Sequence, residues 1–275
     1  MRFVSLFSYD QLMHSEPKRV GLARALSKLG HCSRSHGADL IREGRVRLND
    51  VIRRDPETPT DLQKDRIEVD GVRVVSARKI YLMLNKPRGL VTTTSDEKGR
   101  DTIYSVLPQM GKSSWIAPIG RLDKASEGLL LLTNDSEWGA RIAAPESHLE
   151  KTYHVQIARV ADNQLVHELM KGIRAEDGGL LRVRQCQILR SGEKNCWLEV
   201  VLDEGKNRQI RRMLKALDIE VLRLIRIAIG PLRLGKLPKG SSRPLTPEEK
   251  TALDVIQKKY ARAEEMVRPT AKQHR

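Results

Sequence analysis

Gly120-Arg121-Leu122-Asp123 is followed, after four residues, by Gly128-Leu129-Leu130-Leu131-Leu132-Thr133. The spacing sets an ionisable carboxylate on a turn just ahead of a strand with no polar face, and such a strand lies inside a domain, covered on both sides. A carboxylate held there, partly desolvated and beside Arg121, has the setting of a catalytic group. The plainer alternative is an aspartate that only accepts hydrogen bonds from the backbone of its own turn. Two more blocks carry chemistry: Lys151-Thr152-Tyr153, and Glu204-Gly205-Lys206-Asn207-Arg208-Gln209-Ile210-Arg211-Arg212-Met213. Tyr153 is in phase with Val155 and Ile157 on an alternating strand, a pattern that suits a core aromatic as well as a site residue. From Gly205 to Lys236 there are nine Lys and Arg against two acids, so Lys206, Arg208 and Arg212 suit phosphate contacts. On a helix Arg208, Arg211 and Arg212 share one side, and spacing alone does not choose among them as a partner for the carboxylate.

In this order the three blocks resemble those of the small-subunit (RsuA-like) family of bacterial ribosomal RNA pseudouridine synthases, from about Lys18 to about Thr246. The resemblance implies isomerisation of a uridine to pseudouridine in ribosomal RNA, with one essential aspartate and no cofactor. It places that aspartate on Asp123 and the active-site tyrosine on Tyr153. It places the basic partner of the aspartate on Arg211, with Arg208 as the competitor. Gly120, Arg121, Lys206, Asn207, Arg208 and Arg212 complete the expected RNA contacts. The reaction breaks the C1′–N1 bond and rejoins the same uracil through C5. An ionised carboxylate near C1′ and C2′ serves either as nucleophile at C1′ or as base at C2′, and the residues do not distinguish the two routes. The target nucleotide must be flipped to reach the aspartate, and Tyr153 can stack on its base and take part in the late removal of the C5 proton. The rival from another class is a non-catalytic RNA-binding or ribosome-assembly protein, which the presence of all three blocks disfavours.

Composition agrees with a polyanionic partner. The 275 residues hold 50 Lys and Arg against 35 Asp and Glu, for a net charge of +15, and 39% hydrophobic residues suffice for two cores. No apolar run approaches the roughly 20 residues that span a bilayer, and the first residues lack a secretory pattern. A cytoplasmic, monomeric protein that makes no membrane contact is expected. Cys32, Cys186 and Cys196 form no C-x-x-C pair and read as reduced structural thiols. No histidine pattern suggests a metal.

The expected fold class is α+β: a small N-terminal α/β RNA-binding module and a larger catalytic domain with a mixed, largely antiparallel sheet. Residues 1–17 read as a disordered leader. Residues 18–75 form the module, with a helix through Leu22, Leu26 and Leu29 that Gly30 ends, and a second capped by Ser33 and stopped by Gly44. Strands at Val46–Leu48 and Ile67–Val69 follow. The module resembles the RNA-binding domain named after ribosomal protein S-four, and Arg34, Arg42 and Arg45 are its candidate phosphate contacts. Ser35 and Gly37 depart from that family's usual residues, which implies weaker binding. Ser76 to Lys79 is a polar joint. The catalytic domain occupies 80–246: a buried strand Ile80 to Leu84 ended by Asn85-Lys86-Pro87, strands at 115–119 and 128–133, and helices at 162–171 and 207–217. Residues 247–275 form a last helix, opened by the capping box Thr246-Pro247-Glu248-Glu249, and a tail.

Overall fold

The computed structural model describes residues 19–93, 96, 98–107 and 115–256. The expected leader and the tail lie outside them. The chain divides into two units between Ala77 and Arg78.

In the first unit the helices Leu22–Lys28 and Arg34–Arg42 pack on a four-stranded sheet ordered Val51–Arg53, Val46–Leu48, Ile67–Val69, Val72–Arg73. The alternation in Val46–Leu48 and Ile67–Val69 points Val46, Leu48, Ile67 and Val69 at Leu22, Leu26, Leu40 and Ile41. Ser33 caps the second helix by accepting from the His36 N–H at 3.1 Å. Gly37 has a packing reason to lack a side chain. A Cβ there would lie 3.3 Å from Cys32 Sγ and 3.4 Å from the Ala23 carbonyl of the neighbouring helix.

The second unit is built on a nine-stranded sheet. Its main path runs Gln185–Ser191, Cys196–Leu202, Lys151–Ile157, Val221–Ile229, Glu127–Thr133, Tyr81–Lys86, Ser242–Pro244, with Ala117–Ile119 and Leu232–Arg233 as side branches. Every pairing is antiparallel except one, in which Ile225 and Arg226 run parallel to Glu127 and Gly128. That parallel join lies at the centre of the sheet. It requires Gly128, whose φ is +102° and where a Cβ would fall 2.2 Å from the Arg226 carbonyl oxygen.

Glu127–Thr133 is buried at every position because both its faces are covered. Leu129 and Leu131 pack with Met83, Trp138 and Ile142; Leu130 and Leu132 pack with Leu82, Leu84 and Ile103. At the other end of the sheet Val155, Ile157, Leu198 and Val200 are covered by the helices Asn163–Lys171 and Gln209–Ala216. The opposite face there is polar, carrying His154, Gln156, Trp197 and Glu199.

Some elements differ from expectation. The strand Tyr81–Lys86 does not stop before Asn85 but runs through Lys86, which pairs with Gly128. The helix Ser136–Ala143, capped by Asp135 on the Trp138 N–H, was not expected. Its signal is only two turns long, and its Trp138 is fixed by distant partners: Asp254, which accepts from Nε1, and the Tyr81 ring at 4.8 Å. The last helix is described over 247–256 with its reciprocal cap formed between Thr246 and Glu249.

Gly128→Ala should lower stability by about 3 kcal/mol or more in urea unfolding, since it combines a disallowed φ with overpacking against backbone. Gly120→Ala should cost only about 1 kcal/mol, because Gly120 also has positive φ (+71°) but open space around it.

Candidate active site

Asp123 sits in the seven-residue connection from Ala117–Ile119 to Glu127–Thr133, in a turn closed by the Ser126 N–H on the Asp123 carbonyl at 2.9 Å. A turn of this kind presents a row of carbonyl oxygens that need donors. Each one finds a partner. Thr92 Oγ1 donates to the Leu122 carbonyl at 2.7 Å, Lys86 Nζ to Asp123 at 3.1 Å and Ser126 at 2.9 Å, the Gly89 N–H to Lys124 at 2.8 Å, and Arg211 Nη2 to Ala125 at 3.1 Å. Five consecutive carbonyls are thus held from the segment 86–92 and from Arg211. The carboxylate itself is left unobstructed, its side chain 34% exposed.

Lys86 is the centre of this arrangement. It is fully buried, and its ammonium also reaches the Pro87 carbonyl at 3.2 Å. Burial pushes its pKa down to about 8, against the upward pull of Asp123 and Glu127. Glu127, the first residue of the strand, is buried on the far side of the turn and bound by Arg223 at 3.1 Å and Lys239 at 2.5 Å. Burial raises its pKa, but these two cations outweigh that and leave it below the usual carboxylate value.

The expected pair between Arg211 and Asp123 is not what the structure shows. Arg208 Nη1 stands 3.7 Å from Asp123 Oδ2, whereas Arg211 is spent on the Ala125 carbonyl. Arg211 does not point to solvent: its Nε is buried without a partner among the described residues, and burial, then Arg208, lower its pKa while Asp123 pulls it up. The reason is local backbone. Arg208 is the residue before the helix Gln209–Ala216 and has left-handed torsions, φ 48° and ψ 32°. It therefore lies off the helical side on which spacing would group it with Arg211, and its guanidinium turns to the carboxylate. Left-handed torsions in a bulky residue are uncommon and cluster at functional sites.

Tyr153 is half-buried and packs against two cores at once. A β-bulge between Thr152 and Tyr153 shifts its register so that it faces Arg226; bulges of this kind re-aim side chains beside sites. Asp123, Tyr153, Arg208, Gly120, Arg121, Lys206 and Asn207 all line one cleft of about 640 Å³. A second hollow, of about 480 Å³, shares Asp123, Arg121 and Asn207 with it and adds Lys98, Arg100 and Lys124. Arg212 instead pairs with Asp177 at 2.5 Å, and Arg211 lines neither hollow.

In the first unit the three expected phosphate contacts are exposed, and each has an acid partner: Arg34 with Glu57, Arg42 with Asp39, Arg45 with Asp70 and Glu43. Exposed pairs of this kind contribute about 0–1 kcal/mol, so they can be exchanged for phosphate. Lys86, Thr92, Lys151 and Arg226 were missed as site residues. Asn85-Lys86-Pro87 was visible as a motif, but it signals a strand end until the turn is folded over it. Among the described residues no cluster of His, Cys, Asp or Glu could hold a metal. The three cysteines are free and buried, and burial raises the thiols of Cys32 to about 11 and Cys186 to about 12.

The second unit thus gathers a pinned aspartate turn, a tyrosine and a basic helix start around one cleft. The family described as RNA pseudouridylate synthase matches residues 80–216, and the S4 domain matches 20–67. An RNA pseudouridine synthase of Aquifex aeolicus, itself uncharacterised, is 37% identical over 84% of this chain and 92% of its own. The ribosomal large subunit pseudouridine synthase B of Bacillus subtilis is 34% identical over 83% of this chain and 93% of its own. A crystal structure of a pseudouridylate synthase, at 29% identity, superposes with a TM-score of 0.60 over 85% of this chain and 99% of that one. The chain belongs to the RNA pseudouridine synthase family, enzymes that isomerise uridine within RNA.

Replacing Lys86 by Met should cost about 1–3 kcal/mol in chemical denaturation, because it takes the donor from the buried Ser126 carbonyl and the ammonium's bonds from Pro87 and Asp123. Arg208→Gly should act in opposite directions on the two properties. Release of the left-handed strain raises stability by up to about 1 kcal/mol, while loss of the guanidinium beside Asp123 lowers the single-turnover rate at saturating RNA. Thermal melts and rapid-quench assays on the same preparation check both.

Proposed function

We propose that this chain converts uridine to pseudouridine in ribosomal RNA, with Asp123 as the reacting carboxylate. The observation that carries the assignment is the Asp123 turn. All its backbone carbonyls are bound, and its side chain is left facing a cleft large enough for a nucleotide. The name of the Bacillus relative supports ribosomal RNA as substrate, and the S4 domain supports RNA as partner. That relative is named for the large subunit, whereas the sequence blocks resemble the small-subunit branch, so the proposal is for ribosomal RNA of either subunit.

In this reading Arg208 keeps Asp123 ionised through a close cation, and Arg211 is a positioning residue that holds the turn at Ala125. Tyr153 stacks on the flipped uracil. Arg121, Lys206, Asn207 and Arg212 meet phosphates on the way to the pocket, with Gly120 allowing close approach. Arg34, Arg42 and Arg45 add RNA affinity from the first unit. The enzyme acts as a monomer in the cytoplasm, and the product contains only the atoms of the substrate, so no cofactor is consumed. Among the described residues no helix is long and apolar enough to cross a membrane.

Asp123→Asn preserves size and most hydrogen bonding but removes the negative charge. The variant should keep the fold and bind ribosomal RNA within about threefold of wild type, yet form pseudouridine at least about 10³-fold more slowly, as expected when a reacting group is removed. Mapping pseudouridines in ribosomal RNA from cells with and without the protein, and from cells with only this variant, identifies the target. Modification by the variant near the wild-type rate would remove Asp123 from the mechanism.

A further inference from the structure

Arg226 is an unusual residue for a central strand. It is 6% exposed, its Nε donates to the Leu129 carbonyl at 2.7 Å, and its Nη2 is buried with no partner among the described residues. Buried guanidinium groups are ordinarily bound by a carboxylate or by several carbonyls. Arg226 lies directly across the strand pair from Tyr153 and lines the cleft that holds Asp123. Lys151 lines the same cleft. Burial lowers the Lys151 pKa, Arg226 lowers it further, and Asp203 pulls it back only in part. Two neighbouring cations are thus set in one hollow with donor capacity left over.

We propose that Arg226 and Lys151 bind the uracil ring of the flipped uridine through its carbonyl oxygens and stabilise the negative charge that the ring acquires when it leaves the sugar. The inference rests on the pseudouridine synthase reading and names the half of the reaction that Asp123 does not serve. When the C1′–N1 bond breaks, its electron pair goes to the uracil and spreads onto O2 and O4. At the sugar, Asp123 forms a bond to C1′ or removes the C2′ proton. The ring then turns and C5 bonds to C1′, as the Asp123–C1′ bond breaks on the first route or as Asp123 returns the proton to C2′ on the second; C5 loses its proton, N1 gains one, and the product is an isomer of the substrate. Donors held in place before the charge forms act with little reorganisation, and one such donor is worth about 10²–10³-fold in rate.

The surroundings favour a base over a phosphate as the occupant. Leu202, Leu224 and Ile229 line the same cleft as Arg226, which suits a flat, partly apolar ring. A strongly hydrated phosphate is better met by the exposed Arg121 and Lys206 at the surface.

The test uses single-turnover cleavage of the N-glycoside at saturating RNA, in full-length wild type, Lys151→Met and Arg226→Met. Ribosomal RNA transcripts are made with uridine or with 5-fluorouridine, whose electron-poor ring is a better leaving group. Lys151 is half-buried at the start of its strand, so Lys151→Met keeps the question answerable if Arg226→Met does not fold. Each variant should cleave uridine about 10²-fold more slowly than wild type and 5-fluorouridine only about tenfold more slowly or less, with RNA affinity unchanged. Equal deficits on the two substrates would mean a structural role and overturn the proposal. Loss of affinity with a shallower salt dependence and an unchanged saturated rate would mean a phosphate contact and overturn it too. Wild-type protein that forms no pseudouridine would instead refute the parent reading, which separates the two failures.

Discussion

A buried ammonium holds the Asp123 turn. Lys86 ends a central strand, has no exposure, and binds the carbonyls of Pro87, Asp123 and Ser126 at once. The interior disfavours an isolated charge, so the lysine is tolerated only where several dipoles converge on it. The turn supplies them. Each group satisfies the other, and together with Thr92, Gly89 and Arg211 they fix the Asp123 backbone from the inside. The carboxylate can then stay partly open to solvent while its backbone is held in place, the preorganisation that the proposed role requires.

The mixed sheet follows from the same constraint. The strand after the turn must be rigid, and it is buried on both faces by two separate cores. Its parallel join to Val221–Ile229 brings that strand's backbone so close that only glycine fits at position 128. The join also carries Arg226 to the floor of the cleft and, through a bulge, turns Tyr153 toward it. Turn, tyrosine and buried arginine are therefore positioned by one piece of sheet.

The arginines divide the electrostatic work according to burial. Arg208, exposed and in left-handed conformation, meets the Asp123 carboxylate at long range. Arg211, half-buried, binds backbone, and Arg226, deeper still, keeps a donor unspent. A pair at 3.7 Å between partly exposed groups adds little to stability. Its effect is to place a positive charge beside the Asp123 carboxylate.

Much of the site was legible in the chain itself. An acid on a turn before Leu129-Leu130-Leu131-Leu132, a K-x-Y block and a basic helix start are local patterns, and periodicity places each on its element. The two-unit organisation, the capping residues Ser33 and Thr246 and the buried status of strand 127–133 followed from the same local rules. Residue identity could not decide which arginine faces Asp123, because that depends on the left-handed torsions at Arg208, a property of one backbone position. Nor could it reveal that Lys86, 37 residues before Asp123, ends beneath it, or that Arg226 meets Tyr153 across a bulge. Local pattern fixes what each segment becomes, since helix and strand periods are written in neighbouring residues. Which segments meet, and which polar atoms are left without partners, depends on register and burial over the whole sheet, and only the folded chain settles those.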